Sequence, residues 1–536
     1  MAELFNTLIQ PRVKEKGAGF VVLEEEVETL NSRLEEISPL LYQKIVDIFR
    51  DYDEVWVVGH RGNVADSYIG QFFLREKLEL IHATATLGGE ARVMINSGEH
   101  QSTYDSYVTQ ANPNLRHFVK QAIVKGKKVF VLMPFPNKAL EEMIESAQSK
   151  EYANIKNPGK VICVAPTNLK TFEALENKAV FASIVEKAIG SVFPENVIPN
   201  KTVVIANTSY QDARSSLGLK GGENFYAQLL VSAGGGGTRK ITSEGDYSRL
   251  QTDWQGISSE SREIKISKEI IDSYPANGTA CIIPSETEPD GCIVLLDPLS
   301  KKPVDPKSNA GIGNDWGHTF PPDVLEQYTK IVTALGKYLY KEHEVIGLFG
   351  PDCLVSHDKL YVNEVNPRHQ GTTPFQTLNA LLNGRVPIEY IDLLLKVDPE
   401  STQLIVDAIG GSAEGYNTRA LRETGCYYLK LMNKSDKKLE VINEFNGPFK
   451  LIRKAGNVID FVPVKKYKSK TELVLAKDPD VVWIDGPKKG EEIAASLTPF
   501  GFIVGYGMQV FDKTVPRMTP EAEAIKAALL KKMLEL

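Results

Sequence analysis

The sequence predicts a mixed α/β and α+β protein built from several domains. Its 536 residues correspond to about three or four domains of ordinary size. Short apolar runs at residues 54–58, 128–133 and 160–165 are separated by helical stretches, an alternation that is typical of a parallel α/β sheet. Hydrophobic residues make up 42% of the chain and charged residues 24%, which excludes a disordered or coiled-coil protein as the main interpretation.

The pattern of apolar, turn-forming and helical segments changes twice along the chain, which indicates three regions. Residues 1–175 carry the alternating strands and helices of an α/β domain. Residues 176–390 combine helical segments with apolar strands, a glycine run and a stretch rich in Pro and Asp. Residues 391–536 mix short apolar runs with Gly-Pro turns and end in a helical segment, so we expect a mixed C-terminal domain.

Charge and cysteine content exclude several classes of protein. The 62 basic and 69 acidic residues leave a net charge of −7, which argues against a nucleic-acid binder that works through bulk charge. The five cysteines are odd in number and show no CxxC spacing, so neither a disulfide framework nor a zinc site is expected. No leader is visible at residues 1–13 and no apolar run is long enough to span a membrane, so we expect a cytoplasmic protein without membrane contact.

Residues 350–368 carry the sharpest chemical pattern in the chain. Two strand-like runs flank a polar turn, and a turn centred on Asp358 would place Asp352 directly opposite Glu364. Cross-strand partners share a face with Cβ atoms roughly 5 Å apart. Asn366 lies two residues beyond Glu364 and therefore shares that face as well.

These side chains indicate a site for a hard metal ion. Two adjacent carboxylates repel unless a cation lies between them, and oxygen ligands select Mg²⁺ or Mn²⁺ rather than zinc. Arg368 adds a planar cation suited to an anionic group in a charged transition state. The alternative is an exposed hairpin with solvated acids, but the apolar neighbours Val362 and Val365 predict a buried hairpin, where such acids are costly.

Two further features would suit a phosphate chain. Gly234, Gly235, Gly236 and Gly237 lie between apolar runs and precede Arg239 and Lys240, as in a mobile hairpin whose backbone amides approach phosphates. Taken alone, a glycine run is also a linker composition, and neither a Walker A loop nor GxGxxG is present. Lys178 opens a predicted helix and could reach an α-phosphate, although a solvated helix lysine is the more common case.

The order of these elements resembles the ATP-grasp superfamily. A helix lysine, a glycine-rich lid hairpin and an acid twelve residues before a Glu-x-Asn-x-Arg strand carry the resemblance over residues 176–390. The chain looks closest to the branch that holds biotin-carboxylase-like enzymes and peptide or L-amino-acid ligases. The resemblance implies a Rossmann-like pre-ATP-grasp domain, an ATP-grasp core of two α+β subdomains with a lid around 202–265, and a β-containing C-terminal domain.

The resemblance also implies roles for individual residues. Asp352, Glu364 and Asn366 would bind two Mg²⁺ ions, and Arg368 would steady an acyl-phosphate transition state. Gly234 to Gly237 would close over the phosphates of ATP, Lys178 would contact its α- and β-phosphates, and Arg239 and Lys240 would lie near it. Lys268, Glu269 and Ile270 resemble the hinge that meets adenine and ribose.

The activity that the resemblance implies is an ATP-dependent carboxylate–amine ligase. A substrate carboxylate attacks the γ-phosphate of ATP to give an acyl phosphate, and an amine then displaces phosphate to form an amide or peptide bond. A thiol acceptor (a carrier protein or coenzyme A) and a non-catalytic ATP-binding protein stay open as alternatives. Small-molecule carboxylates and amines would be the substrates, and a homodimer is expected by family analogy.

The sequence departs from the family pattern at two places. Many members carry a lysine on the strand before the glycine loop, whereas residues 228–231 contain none. Biotin carboxylases follow the arginine with a stretch that contains a catalytic glutamate, and residues 368–373 contain none. The second departure favours amine ligation over carboxylation. The first means that the nucleotide is anchored differently there, or that another residue such as Lys240 replaces the missing strand lysine.

Overall fold

The structure, a computed structural model, describes most of the chain from residue 32 onward. The described residues are 32–59, 78–82, 113–132, 136, 138–146, 148, 155, 157–231, 237–255, 263–304, 311–420, 426–433, 438–454, 457–468, 470–476, 478–486, 489–490, 492–493, 502–510 and 519–534.

The first part of the chain contains a parallel sheet. Its elements are α1 (Pro39–Arg50), β1 (Glu54–Gly59), β2 (Leu78–His82), α2 (Pro113–Val124), β3 (Lys128–Leu132), α3 (Lys138–Ser146) and β4 (Lys160–Val164). The four strands pair in parallel in the order β2-β1-β3-β4. This is the parallel α/β sheet that the alternation of strands and helices predicts.

A separate antiparallel sheet follows two helices. The elements are α4 (Leu169–Glu176), α5 (Lys178–Ile189), β5 (Asn200–Val204), α6 (Tyr210–Ser216), β6 (Phe225–Leu229), β7 (Thr238–Ile241), α7 (Glu244–Gln255) and β8 (Glu263–Lys268). The strands pair in the order β5-β8-β6-β7, and we call this the lid sheet because residues 202–265 are the predicted lid. Phe225, Ala227 and Ile266 on one face pack with Tyr247 and Trp254 of α7, so that face is apolar.

The middle of the chain supplies long strands backed by one long helix. The elements are β9 (Ser273–Asn277), β10 (Ala280–Pro284), β11 (Cys292–Leu296), β12 (Ser300–Lys301), β13 (Gly313–Asp315), α8 (Pro322–His343), β14 (Gly347–Ser356) and β15 (Lys359–Asn366). Apolar residues recur along α8 at helical spacing and lie in one core with α5, β14 and β15. This core fixes the hairpin of β14 and β15 against the helix that begins at Lys178.

The last part of the chain extends the same sheet. The elements are α9 (Thr373–Leu382), α10 (Ile388–Val397), α11 (Thr402–Ala408), α12 (Ala413–Ala420), β16 (Cys426–Asn433), β17 (Leu439–Glu440), β18 (Asn446–Lys454), β19 (Asn457–Pro463), α13 (Lys470–Ala476), β20 (Val481–Asp485), β21 (Glu492–Ile493), β22 (Phe502–Val510) and α14 (Thr519–Leu534). Within the described ranges, no helix combines the length and apolarity that crossing a bilayer requires.

The main sheet crosses the predicted boundary at residue 390. It has twelve strands in the order β11-β10-β14-β9-β12-β13-β16-β22-β20-β18-β19, with β15 paired to β14. The strands of the middle and last regions meet where β13 pairs with β16. The C-terminal region is therefore hydrogen-bonded into the sheet that carries the predicted metal hairpin.

Candidate active site

The hairpin of β14 and β15 brings the two predicted acidic ligands together. A two-residue turn at His357 and Asp358 connects the strands, and His357 has the left-handed φ of 53° that such a tight turn requires. Asp352 pairs directly with Glu364. The predicted pairing is therefore correct, but the turn is centred between residues 357 and 358 rather than on Asp358.

A β-bulge reconciles this turn with the observed pairing. Next to the turn, partners run as far as Cys353 opposite Val362, and the next pair is Asp352 opposite Glu364, so Asn363 is the extra residue. Both Val362 and Val365 lie in the core with α8, although their separation of three residues would place them on opposite faces of a regular strand. The bulge thus turns Glu364 away from the core.

The two carboxylates lie in an electrostatic field set by lysines. Burial and the neighbouring Glu364 carboxylate raise the pKa of Asp352, whereas Lys302 opposes this, with its Nζ 2.8 Å from Asp352 Oδ2. Burial also disfavours ionisation of Glu364, but Lys178 and Lys302 outweigh it and lower the pKa of Glu364 to about 2. An ionised Glu364 beside an Asp352 whose ionisation is disfavoured is the arrangement expected where a further cation binds between two carboxylates.

The donor set fits a hard divalent cation. Oδ1 of Asp352 is buried and has no hydrogen-bond partner among the described residues, so a ligating oxygen is left over. Asn366 pairs with Gly350 two positions from the carboxylate pair, and its Oδ1 accepts a hydrogen bond of 2.8 Å from Nη2 of Arg368. Within the described residues, no cluster of three or more His, Cys, Asp or Glu forms, so the set remains two carboxylates and one amide.

Lys178 is buried against the hairpin rather than solvated. Asn177 caps helix α5, since its Oδ1 accepts hydrogen bonds of 3.0 Å and 3.2 Å from the amides of Ala179 and Val180. The cap starts the helix at Lys178, whose side chain is 6% exposed, with Nζ 3.4 Å from Glu364 Oε2. The structure therefore brings this predicted phosphate contact to the predicted metal ligands.

Arg368 is held at the end of β15 by two side chains. Its Nε donates a 3.0 Å hydrogen bond to Glu176 Oε1, and its Nη2 donates to Asn366 as described above. Burial is the largest cause that lowers the pKa of Lys430 on β16. The charges of Lys302 and Arg368 lower it further, and the pKa is about 8. Three cations therefore gather beside Asp352, so this end of the site attracts an anion.

A buried network of polar side chains lies on the strand next to Asp352 and on its neighbours. Asn277 on β9 pairs with Asp352 in the sheet. Its Oδ1 accepts hydrogen bonds from Ser300 Oγ at 2.7 Å and from Asn314 Nδ2 at 2.6 Å, and its Nδ2 donates to Gln370 Oε1 at 3.3 Å. Four polar side chains that satisfy one another in this way hold the strand ends in a fixed geometry.

The lid places its two predicted basic residues on opposite faces. β6 and β7 form the expected hairpin, in which Lys240 pairs with Tyr226 and Arg239 pairs with Ala227. Ala227 lies in the apolar core, so Arg239 lies on the core face and the expectation that it approaches ATP together with Lys240 is not supported. Among the predicted glycines, Gly237 is described and its carbonyl accepts from the Leu229 amide at 2.8 Å. Gly234, Gly235 and Gly236 lie outside the described residues.

The predicted hinge lies at the end of β8. Lys268 Nζ forms an ion pair of 2.7 Å with Glu223 at the surface. Glu269 accepts from Lys240 Nζ at 2.5 Å and from Asn224 Nδ2 at 2.7 Å, so it ties β7 to the end of β8. Ile270 follows, half-buried, where the lid sheet passes into the main sheet. This segment joins the two sheets, and its contact with adenine and ribose stays a prediction.

Three lysines at the site were not predicted as site residues. Lys302 follows β12 and Lys430 lies in β16, and neither belongs to a motif. The pairings of β12 with β13 and of β13 with β16 bring the two lysines together. Lys265 on β8 is 3% exposed, and burial lowers its pKa to about 8. Here a signal exists, because Lys265 alternates with the apolar Ile264 and Ile266 and therefore belongs to a polar strand face.

Comparison with solved structures finds chains of similar fold. The chain is similar to the biotin carboxylase domain dimer of Hydrogenobacter thermophilus 2-oxoglutarate carboxylase, solved with MgADP, ADP and bicarbonate, at 12% identity with a TM-score of 0.52 and 86% of each chain covered. It is also similar to N5-carboxyaminoimidazole synthase of Aspergillus clavatus, at 11% identity with a TM-score of 0.48, covering 89% of this chain and 98% of that one.

A further similar structure is biotin carboxylase of Campylobacter jejuni with a β,γ-ATP ligand, at 12% identity with a TM-score of 0.49, covering 86% of this chain and 88% of that one. No protein-family profile matches this chain, and no curated protein matches it. At the level of the fold, the chain is similar to the biotin carboxylase domain of the Hydrogenobacter enzyme, in agreement with the predicted resemblance to the ATP-grasp superfamily.

Proposed function

We propose that this protein is an ATP-dependent ligase that activates a carboxylate as an acyl phosphate and transfers it to an amine. The observation that carries the proposal is the pairing of Asp352 with Glu364, with Lys178 against Glu364 and Arg368 against the neighbouring Asn366. Such a site suits a reaction that must bring a phosphate chain and a carboxylate together, because both reactants are anions.

Residues at one end of the site would bind the nucleotide. Lys178 would contact the α- and β-phosphates, and Gly234 to Gly237 would close over them. Lys240 shares a sheet face with Tyr226 and reaches Glu269, so the polar face of the lid continues toward the hinge at 268–270. Adenine and ribose would lie against that hinge.

Asp352, Glu364 and Asn366 would hold Mg²⁺, and we propose two ions. The free, buried Oδ1 of Asp352 and the ionised Glu364 are the observations that support this assignment. When bound, Mg²⁺ neutralises the charge on the phosphates. Lys302 now occupies the other oxygen of Asp352 at 2.8 Å and helps to keep the carboxylates in place.

Residues at the other end would bind the substrate carboxylate. Arg368, Lys302 and Lys430 present three cationic groups beside Asp352. A carboxylate oxygen would attack the γ-phosphorus of ATP, the bond to the β-phosphate oxygen would break, and ADP would leave. The amine would then attack the acyl carbon and release phosphate, with Arg368 steadying the charge that develops on the acyl phosphate.

Hydroxylamine trapping tests the proposal. The protein is incubated with ATP, Mg²⁺, hydroxylamine and a panel of carboxylates, and ADP, phosphate and hydroxamate are measured. We expect at least one carboxylate to give hydroxamate in an amount equal to the ADP released. If ATP binds but no carboxylate gives turnover, the acyl-phosphate chemistry is wrong and a non-catalytic ATP-binding protein is the better interpretation.

Two outcomes of the same assay would change the substrate class. ATP hydrolysis that depends on bicarbonate would point to a carboxylase, since the Hydrogenobacter domain was solved with bicarbonate. A thioester formed with a carrier protein or coenzyme A would replace the amine acceptor by a thiol. We favour the amine because Thr372 and Thr373 lie in the stretch where biotin carboxylases carry a catalytic glutamate. A cytoplasmic homodimer is proposed by analogy with the Hydrogenobacter dimer.

A further inference from the structure

The lid sheet has one polar face, which carries Lys240 and several polar residues whose function the sequence leaves unassigned. Strand pairing places Gln228 on β6 opposite Lys265 on β8, and Tyr226 opposite Ser267. The alternate residues Ile264 and Ile266 lie on the other face, in the core with helix α7. The polar residues therefore share one face, the face opposite the helix that covers the sheet.

Lys265 lies at the centre of that face. It belongs to β8, which has β5 on one side and β6 on the other, and only 3% of its surface is exposed. Within the described residues, its ammonium group forms neither a hydrogen bond nor an ion pair. Burial lowers its pKa to about 8, while the Glu364 carboxylate raises it and Lys178 lowers it, so Lys265 lies within the field of the metal hairpin.

A second buried group points to a ligand on the same face. Ser267 lies two residues beyond Lys265 and is 5% exposed, and its Oγ has no hydrogen-bond partner among the described residues. Buried hydroxyl and ammonium groups without partners are rare because each costs free energy. Two of them in one row indicate that a polar ligand completes their hydrogen bonds.

The position of Lys265 also offers a replacement for the lysine that is missing from residues 228–231. Gln228 begins this lysine-free stretch just before the glycine loop, and Lys265 is its direct partner on the adjacent strand. Direct antiparallel partners have Cβ atoms roughly 5 Å apart, a distance that one lysine side chain readily spans. An ammonium group from β8 can therefore reach the region that a lysine from β6 would serve.

We propose that Lys265 is the lysine with which the lid holds the phosphate chain of ATP, and that Ser267 donates a hydrogen bond to the same nucleotide. The inference rests on the proposed function, because it assigns residues to the nucleotide of that site. It assigns a site lysine to a strand other than the one that precedes the glycine loop, and it accounts for two buried polar side chains that are otherwise unexplained.

Calorimetric titration of Lys265→Met tests the inference without measuring turnover. Methionine keeps an unbranched apolar stem close to the length of the lysine stem and removes the ammonium group. With Mg²⁺ and a non-hydrolysable ATP analogue, we expect affinity to fall about 10- to 100-fold, the range for a lost hydrogen bond to a charged group. Adenosine affinity should be unchanged, because adenosine lacks phosphates. Lys265→Arg should recover part of the loss, and Ser267→Ala should weaken analogue binding several-fold.

Lys201→Met is the matched control. Lys201 is an exposed lysine on β5, and it pairs with Ile266, whose face is apolar. Its replacement should leave the affinity for the analogue unchanged. If wild-type protein binds the analogue and Lys265→Met binds it equally well, this inference is wrong and the proposed function survives. If wild-type protein does not bind the analogue, the proposed function itself fails. Should Lys265→Met not fold, Lys265→Arg and Ser267→Ala decide the same question.

Discussion

Removing Glu364 should destabilise the ligand-free protein, whereas removing its partner Asp352 should not. Glu364→Gln takes the counter-charge away from Lys178 and Lys302, which lower the pKa of Glu364 to about 2. Asp352→Asn removes a carboxylate whose ionisation is disfavoured by burial and by Glu364, despite its contact with Lys302. The two substitutions are equally conservative, so their comparison isolates the electrostatic field of the site.

The magnitude follows from the pKa of Glu364. A fall from 4.5 to about 2 corresponds to about 3 kcal/mol of favourable interaction with the ionised form. The side chain is 29% exposed, and solvent screening reduces this to about 2 kcal/mol. Because the pKa is lowered, the stabilisation is fully present above about pH 4.3 and is lost as pH falls toward 2. We therefore expect a constant difference between pH 5 and pH 8.

Urea unfolding in EDTA measures the first part of this prediction. Glu364→Gln should lower the free energy of unfolding by about 2 kcal/mol at pH 7, and Asp352→Asn should be neutral or stabilising, because the raised pKa of Asp352 means that folding disfavours its ionised form. In excess Mg²⁺ and ATP analogue each variant should fall a further amount of about 3 kcal/mol behind wild-type protein, because each loses the stabilisation that ligand at 100 times Kd gives the wild type, and the difference between the two variants should persist. Equal effects of the two variants in EDTA would refute the electrostatic reasoning.

Three further substitutions separate catalysis, binding and folding. Arg368→Ala should lower the rate of hydroxamate formation at least about 10²-fold while the Kd of the ATP analogue, measured by calorimetry, changes little. Lys178→Met should weaken that Kd about 10-fold or more, since its buried ammonium faces the proposed phosphates. Arg385→Met should lower the free energy of unfolding by about 3–5 kcal/mol, because Asp297, 2.8 Å away and buried, keeps an unpaired charge; calorimetry should show unchanged analogue affinity.

The sequence was sufficient for the elements that local pattern controls. Apolar runs predicted the parallel strands β1, β3 and β4, and the acid spacing predicted the hairpin and its pair Asp352 and Glu364. The register arises differently from the prediction. The turn is one residue tighter than predicted, and the extra residue Asn363 restores the pairing of Asp352 with Glu364. A hairpin turn and a bulge shift the register by similar amounts, so spacing alone cannot distinguish the two arrangements.

The cations of the site depend on tertiary contacts, which spacing does not encode. Lys302 and Lys430 are 128 residues apart in the sequence, and they meet only through strand pairings of the main sheet. In the sequence, Lys178 cannot be distinguished from a solvated lysine at the start of a helix. It is buried because α5 packs against the hairpin. Arg239 was assigned to the nucleotide site because it precedes Lys240. Side chains alternate along a strand, so the two residues lie on opposite faces of the lid sheet.

The continuity of the main sheet determines which parts of the chain can be separated. Cutting the chain at the predicted boundary of 390 would not release an accessory domain, because β16 would be removed from β13 and a buried strand would become an open edge. The cut would also remove Lys430 from the anion-binding end of the site. The described strands of the C-terminal region therefore belong to the sheet that carries the site, and we expect that residues 1–390 cannot be expressed in a functional form without this region.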